Sequence, residues 1–110
     1  MQMIDVVNVL GTPYTVTKKN MVEEPELEQC DGFCDHTTKS IVISDIIERP
    51  GSVEDLDTYT KGVIRHELVH AFLFESGLGS ESWGKDEEIV DWIAQQFPKM
   101  LEAFKGIDPI

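Results

Sequence analysis

The sequence predicts an α+β domain, a small antiparallel or mixed sheet of about three strands packed on a buried helix and a second, C-terminal helix. Three observations carry that expectation. β-Branched and aromatic residues cluster early, in "IDVVNVL", "YTVTK" and "TKSIVIS". Apolar residues then recur at helical spacing, in "VIRHELVHAFLF" and "EEIVDWIAQQF". Strands that come first and helices that follow them form an α+β layout.

The elements follow in order. Residues 4–10 and 14–18 read as a β-hairpin, with "GTP" between them as the turn signal. The acidic stretch "NMVEEPELEQCDGF" is broken by Pro25 and Gly32 and reads as a loop. Residues 38–44 have the β-branched content of a third strand, and "ERPGS" at 48–52 marks the change from strand to helix. Ser52 with Asp55, or Asp57 a turn later, can cap the next helix, and Gly77 supplies its left-handed stop. Ile64, Leu68, Val69, Ala71 and Phe72 fall on one side of that helix, Val63, Leu73 and Phe74 on the other. Apolar nearly all round, it is expected to be a buried central helix. "LGSESWG" at 78–84 reads as a loop. A second helix starts near Asp86 with Ile89, Val90, Ile93, Ala94 and Phe97 on one face. Pro98 is expected to kink it or to open a new segment, the stripe continues through Met100, Leu101 and Phe104, and Gly106 ends it.

A chain of 110 residues reads as one domain, 1–110, long enough to bury a core without staples. Nine Lys and Arg against 21 Asp and Glu give a net charge of −12. Such a surface repels phosphate backbones and anionic lipid, so direct nucleic-acid or membrane binding is not expected, while divalent cations and basic partners are attracted. The longest apolar runs fall short of the roughly 18–20 residues of a membrane span. "MQMIDVVNVL" lacks the pattern of a signal peptide, so a cytoplasmic protein with reduced Cys30 and Cys34 is the expectation.

The segment "HELVH" carries the chemistry. His66 and His70 are four residues apart, so on a helix they stand one above the other, about 40° apart, and both imidazoles can reach one cation. Glu67 lies roughly 60–100° further round, close enough to exchange protons with a water on the ion but poorly placed to bind beside both histidines. Zinc lowers the pKa of such a water to about 7, which provides a nucleophile at neutral pH. A coincidental HExxH usually lies on an exposed polar face. This one lies on the most apolar helix, where an unpaired histidine pair is costly and a metal removes the cost.

A catalytic zinc takes three protein ligands, and the candidates for the third stand in "KDEEIVDWIAQQF". The core stripe of this helix places Glu87 at the margin of the buried face, about 80° from its centre, and Glu88 about 180° away, facing water. Glu87 is therefore the expected ligand, with Glu88 as the alternative. Asp91, one turn beyond Glu87, would accept the other N–H of a ligating histidine and fix its tautomer. The competing reading for these acids is a solvated helix N-terminus favoured by the macrodipole.

HELVH at 66–70, a short loop, and then Glu87-x-x-x-Asp91 on a second helix resemble the gluzincin arrangement of zinc metallopeptidases. The hairpin, the "GFCDHTTKSIVIS" segment and the "EEIVDWIAQQF" helix together look like small, phage-associated relatives of the ImmA/IrrE metallopeptidases, over most of the chain from about residue 30 onward. The resemblance implies a zincin-like fold with one zinc per chain held by His66, His70 and Glu87, and with Glu67 as general base. A chain this small forms a shallow cleft, so a specific protein or flexible peptide is the expected substrate, and a monomer or weak oligomer is expected. The alternative is an acidic binding protein of phage type, a pseudo-enzyme whose zinc is structural and whose partner is basic.

Four further residues could touch the chemistry. Cys30, Cys34 and His36 have donor atoms, but a Cys-x3-Cys-x-His spacing without a second pair is weak for a structural zinc. Either cysteine could block the open metal position. His36 could stabilise an oxyanion, though an exposed turn histidine is the plainer reading. Tyr59 shares the histidines' helix face two turns earlier, at doubtful reach of the metal. Trp83 and Trp92 read as cover and core.

Overall fold

The structure is a computed structural model that describes residues 2–45, 56–79 and 82–108. Among the described residues, four strands, β1 (Gln2–Val9), β2 (Thr12–Lys19), β3 (Gly32–Asp35) and β4 (Ser40–Ser44), precede two α-helices, α1 (Leu56–Glu75) and α2 (Glu87–Ile107). The sheet is mixed, in the order β1-β2-β4-β3. β1 runs antiparallel to β2, β2 parallel to β4, and β3 antiparallel to β4. The α+β layout is as expected, with four strands in place of about three. The signals at 48–52 and the capping residues Ser52 and Asp55 lie outside the described residues, as do residues 80 and 81 of the expected 78–84 loop.

The β1–β2 turn is made by Leu10 and Gly11, both at positive φ (51° and 94°). That backbone matches the twist of a two-residue hairpin, and the Asn8 side chain accepts the Gly11 N–H at 2.7 Å. The turn shares Gly11 with the expected Gly-Thr-Pro but lies one residue earlier, and Pro13 sits inside β2 opposite Asn8.

The strand missed in the sequence is β3. "GFCD" contains no β-branched residue and follows an acidic stretch that reads as loop. Its pairing is set by the turn after it. Asp35 Oδ1 accepts the Thr37 N–H at 2.9 Å, and Lys39 adopts φ +54°, which folds the chain back into β4.

Tyr14 and Val16 of β2, with Ile41 and Ile43 of β4, are buried in one cluster with Val9 and with Ala71 of α1. Val63, Ile64 and Leu68 of α1 pack against it, as does Cys34 of β3. Gly32 permits the close approach of β3 to α1. A Cβ there would lie 2.9 Å from Val63 Cγ1 and 3.0 Å from the Val42 carbonyl oxygen.

α1 is less buried than expected. Ala71 and Glu67 are its buried residues among those described, and Phe72 is 40 % exposed, because the sheet and α2 cover two sides and leave Phe72 outside both. α2 runs unbroken through Pro98 and past Gly106, and ends at Asp108 in a left-handed conformation. Its stripe is core at Val90 and Ala94 but exposed at Phe97, Met100, Leu101 and Phe104. Trp83 and Trp92, expected as cover and core, are exposed as well. Among the described residues, no helix is long and apolar enough to cross a membrane.

The last turn of α1 is tied to the sheet by Glu75. Its carboxylate accepts from Lys39 Nζ at 2.8 Å, from the Tyr14 hydroxyl at 2.7 Å and from the Thr12 hydroxyl at 3.0 Å. The Lys39 ammonium and then the Tyr14 hydroxyl hold the Glu75 carboxyl down to about 2. A carboxyl depressed in the folded state stabilises it above the unfolded pKa, about 4.3, and that contribution is lost as pH falls toward about 2. Denaturant unfolding at pH 7, 4 and 2.5 should therefore show a steeper acid loss for the native protein than for Glu75→Gln. Parallel pH profiles for the two proteins would contradict this role.

Candidate metal centre

α1 presents His66 and His70 on consecutive turns of one face, with ring centroids 4.9 Å apart at 72°. Their neighbour across the interface is the first turn of α2. Asp86 caps that helix by accepting the Glu88 N–H at 3.0 Å, which sets where the first turn begins. Ahead of it lies a short 3-10 helix, Trp83–Lys85, containing the buried Gly84.

Glu87 reaches both histidines. Its Oε2 lies 2.9 Å from His66 Nε2 and its Oε1 lies 3.0 Å from His70 Nε2. Asp91 Oδ1 lies 2.7 Å from His66 Nδ1. A carboxylate accepts only, so Nδ1 donates to Asp91, and Nε2 is the nitrogen turned toward Glu87 and His70. Glu87 and Glu88 are both exposed, and it is Glu87 that makes the contacts to the two imidazoles.

Glu67 lies beside this pair and is 7 % exposed. Burial pushes its carboxyl up to about 7; His66 opposes the shift, and the negative Glu87 and Asp91 add to it. Among the described residues, His66, Glu67 and His70 form a group that could hold a metal ion, with ligand atoms all within 4.8 Å of one another. Glu87 brings a further carboxylate to the same two imidazoles. Zinc bonds of about 2.0–2.1 Å in a tetrahedron put neighbouring donors about 3.3 Å apart. The observed nitrogen–oxygen separations, 2.9 Å to Glu87 Oε2 and 3.0 Å to Oε1, lie a few tenths of an ångström inside that spacing. Two imidazoles and a carboxylate fit zinc, and they fit other first-row ions too.

The centre lies in a cleft of about 860 Å³, walled by α1 and by residues 30–34 and 36, with Glu87 and Asp91 at its margin. Four residues singled out in the sequence line this cleft without joining the metal-capable group. Cys30 is exposed, and its Sγ donates to the Glu26 carbonyl at 3.4 Å. Burial pushes the Cys34 thiol up to about 12, with Glu67 and Asp35 adding to it, which keeps this half-buried sulfur protonated. His36 is the exposed turn histidine that was expected, with its ring stacked on Phe74 at 3.9 Å between centroids. The Tyr59 hydroxyl donates to Asp31 across the cleft, and this bond raises the Tyr59 pKa, with burial adding to the shift.

The Asp31 contact was not visible to sequence reasoning. It joins a loop residue to a helix residue 28 positions away, and no local spacing encodes such a pair.

Removal of Asp91 should be felt at the ion. Asp91→Ala leaves His66 Nδ1 without its acceptor, and metal affinity should fall about 10- to 100-fold. Competition against a chromophoric chelator measures that change, and unchanged affinity would show that Asp91 does not orient the imidazole.

Comparison with family models, with curated proteins and with solved structures returns no match for this chain.

Proposed function

We propose that this protein is a zinc-dependent metallopeptidase with a zincin-like fold, hydrolysing a bond in a specific protein or flexible peptide. The observation that carries the reading is the convergence of His66 Nε2 and His70 Nε2 on the Glu87 carboxylate, with the buried Glu67 beside them. The resemblance of HELVH and the acidic second helix to gluzincins, and to the ImmA/IrrE metallopeptidases, supports the same conclusion.

On this reading His66, His70 and Glu87 hold the ion, and Asp91 keeps His66 in the tautomer that offers Nε2. A bound zinc supplies Lewis-acid activation of water and of a carbonyl oxygen. Glu67 accepts a proton from the attacking water and returns it to the departing amine. Its burial suits both steps, because a carboxyl lifted toward neutral pH gives up its proton nearly as readily as it gains one. β3 is an edge strand that pairs with β4 on one side, so an extended peptide can add along its other edge.

The alternative, an acidic binding protein with a structural zinc, draws support from the exposed apolar run of α2 and from the net charge. Incubating the zinc-loaded protein with a mixed peptide library and reading the products by mass spectrometry separates the two. Cleavages that vanish with chelator and in His66→Ala are expected; a library left intact would favour the binding protein.

A further inference from the structure

The acids of the cleft are not equivalent. Glu87 and Asp91 are engaged by the histidines, and Glu67 is buried among them. Asp31 remains, on the other wall of the same cleft. It is held at two points: its backbone carbonyl accepts the Ser44 N–H at 2.8 Å, and its Oδ2 accepts the Tyr59 hydroxyl. A carboxylate braced by both strand and helix is pre-organised for a ligand, so little ordering entropy opposes its use.

Asp31 immediately precedes β3, the edge strand bordering the cleft. Its partner Tyr59 is seven residues before His66 on α1, which corresponds to about 10 Å along the helix. An extended peptide covers that distance in about three residues. No lysine or arginine lines the cleft among the described residues, and the whole chain carries a net charge of −12. Field and contact therefore favour the same sign of ligand.

We infer that Asp31, braced by Tyr59, selects peptides bearing lysine or arginine about three residues from the bond that is cut. This deepens the metallopeptidase reading and rests on it. The cationic side chain makes a charge-assisted hydrogen bond to the Asp31 carboxylate, whereas an acidic side chain at that position meets a like charge.

The test is a randomised peptide mixture digested by the zinc-loaded wild type, Asp31→Asn and Asp31→Lys, with products sequenced by mass spectrometry. Wild-type cleavages should be enriched in Lys or Arg about three positions from the cut, on one side of it. Asp31→Asn should lose about tenfold in kcat/KM on the basic peptides, mostly through KM, and Asp31→Lys should shift the preference to Asp and Glu. Equal enrichment in wild type and Asp31→Lys, or cleavage with no charge preference, would overturn the inference. If no peptide is cut, the hydrolase reading fails separately, and binding decides the inference. Zinc-loaded Glu67→Gln should bind a fluorescein-labelled arginine-containing nonapeptide about tenfold more tightly than its glutamate counterpart, and lose that margin when Asp31→Asn is added. Equal affinities for the two peptides would refute the selection.

Discussion

Glu67→Gln should retain one metal ion per chain and lose at least about a hundredfold in peptide hydrolysis. The amide is nearly isosteric with the carboxyl, so packing around this buried position survives. What it cannot do is accept and return a proton. The substitution also removes a negative charge beside the ion, so metal affinity changes modestly without loss of stoichiometry. The pair of measurements matters more than either alone. Metal retained with hydrolysis lost assigns Glu67 to proton transfer. Hydrolysis retained at the wild-type rate would remove Glu67 from the mechanism and with it the metallopeptidase reading.

Gly84→Ala should destabilise the fold by about 2–4 kcal/mol and weaken metal binding together with it. Gly84 is buried in the 3-10 helix that leads into α2. A Cβ at this position would collide with the Leu78 carbonyl oxygen and would lie 2.9 Å from Leu78 Cβ. The first neighbour is backbone, so relief requires the connection between the helices to move. That connection sets the start of α2 and hence where Glu87 meets the histidines. Thermal or denaturant unfolding gives the stability change, and chelator competition gives the affinity. A variant as stable as wild type with unaltered metal affinity would show that the connection accommodates a methyl group without displacing Glu87.

Much of the scaffold around the site is legible in the sequence. HELVH on a helix requires only that the helix form, and its apolar surroundings make that demand. The position of Glu87 against both imidazoles, with Asp91 on His66, follows from where the apolar stripe of α2 must face. These are local periodicities, and local periodicity is what a sequence displays directly.

What was not legible depended on contacts between distant segments. β3 has four residues and gains its place from β4 and from the Asp35–Thr37 turn, not from its own composition. The parallel pairing of β2 with β4 has no signature in either strand, since both would read alike in an antiparallel sheet. The α2 stripe was expected to be core along its length. Its period is correct, but past Ala94 its large apolar residues Phe97, Met100, Leu101 and Phe104 are exposed. The hydrogen bond of Tyr59 to Asp31 likewise depends on how α1 crosses the start of β3. In each case helix or strand character was in the residues, and the identity of the neighbour was not.

The proposed chemistry requires a divalent ion gripped by nitrogen and oxygen donors from two helices. X-ray absorption spectroscopy of the zinc-loaded protein, with metal content measured on the same sample, addresses it most directly. One zinc per chain is expected in a shell of light donors at about 2.0–2.1 Å, with the multiple-scattering signature of two imidazoles. A sulfur shell near 2.3 Å would move the ion to Cys30 and Cys34, and protein that stays metal-free under saturating zinc would leave the His66–His70–Glu87 cluster with no ion to hold.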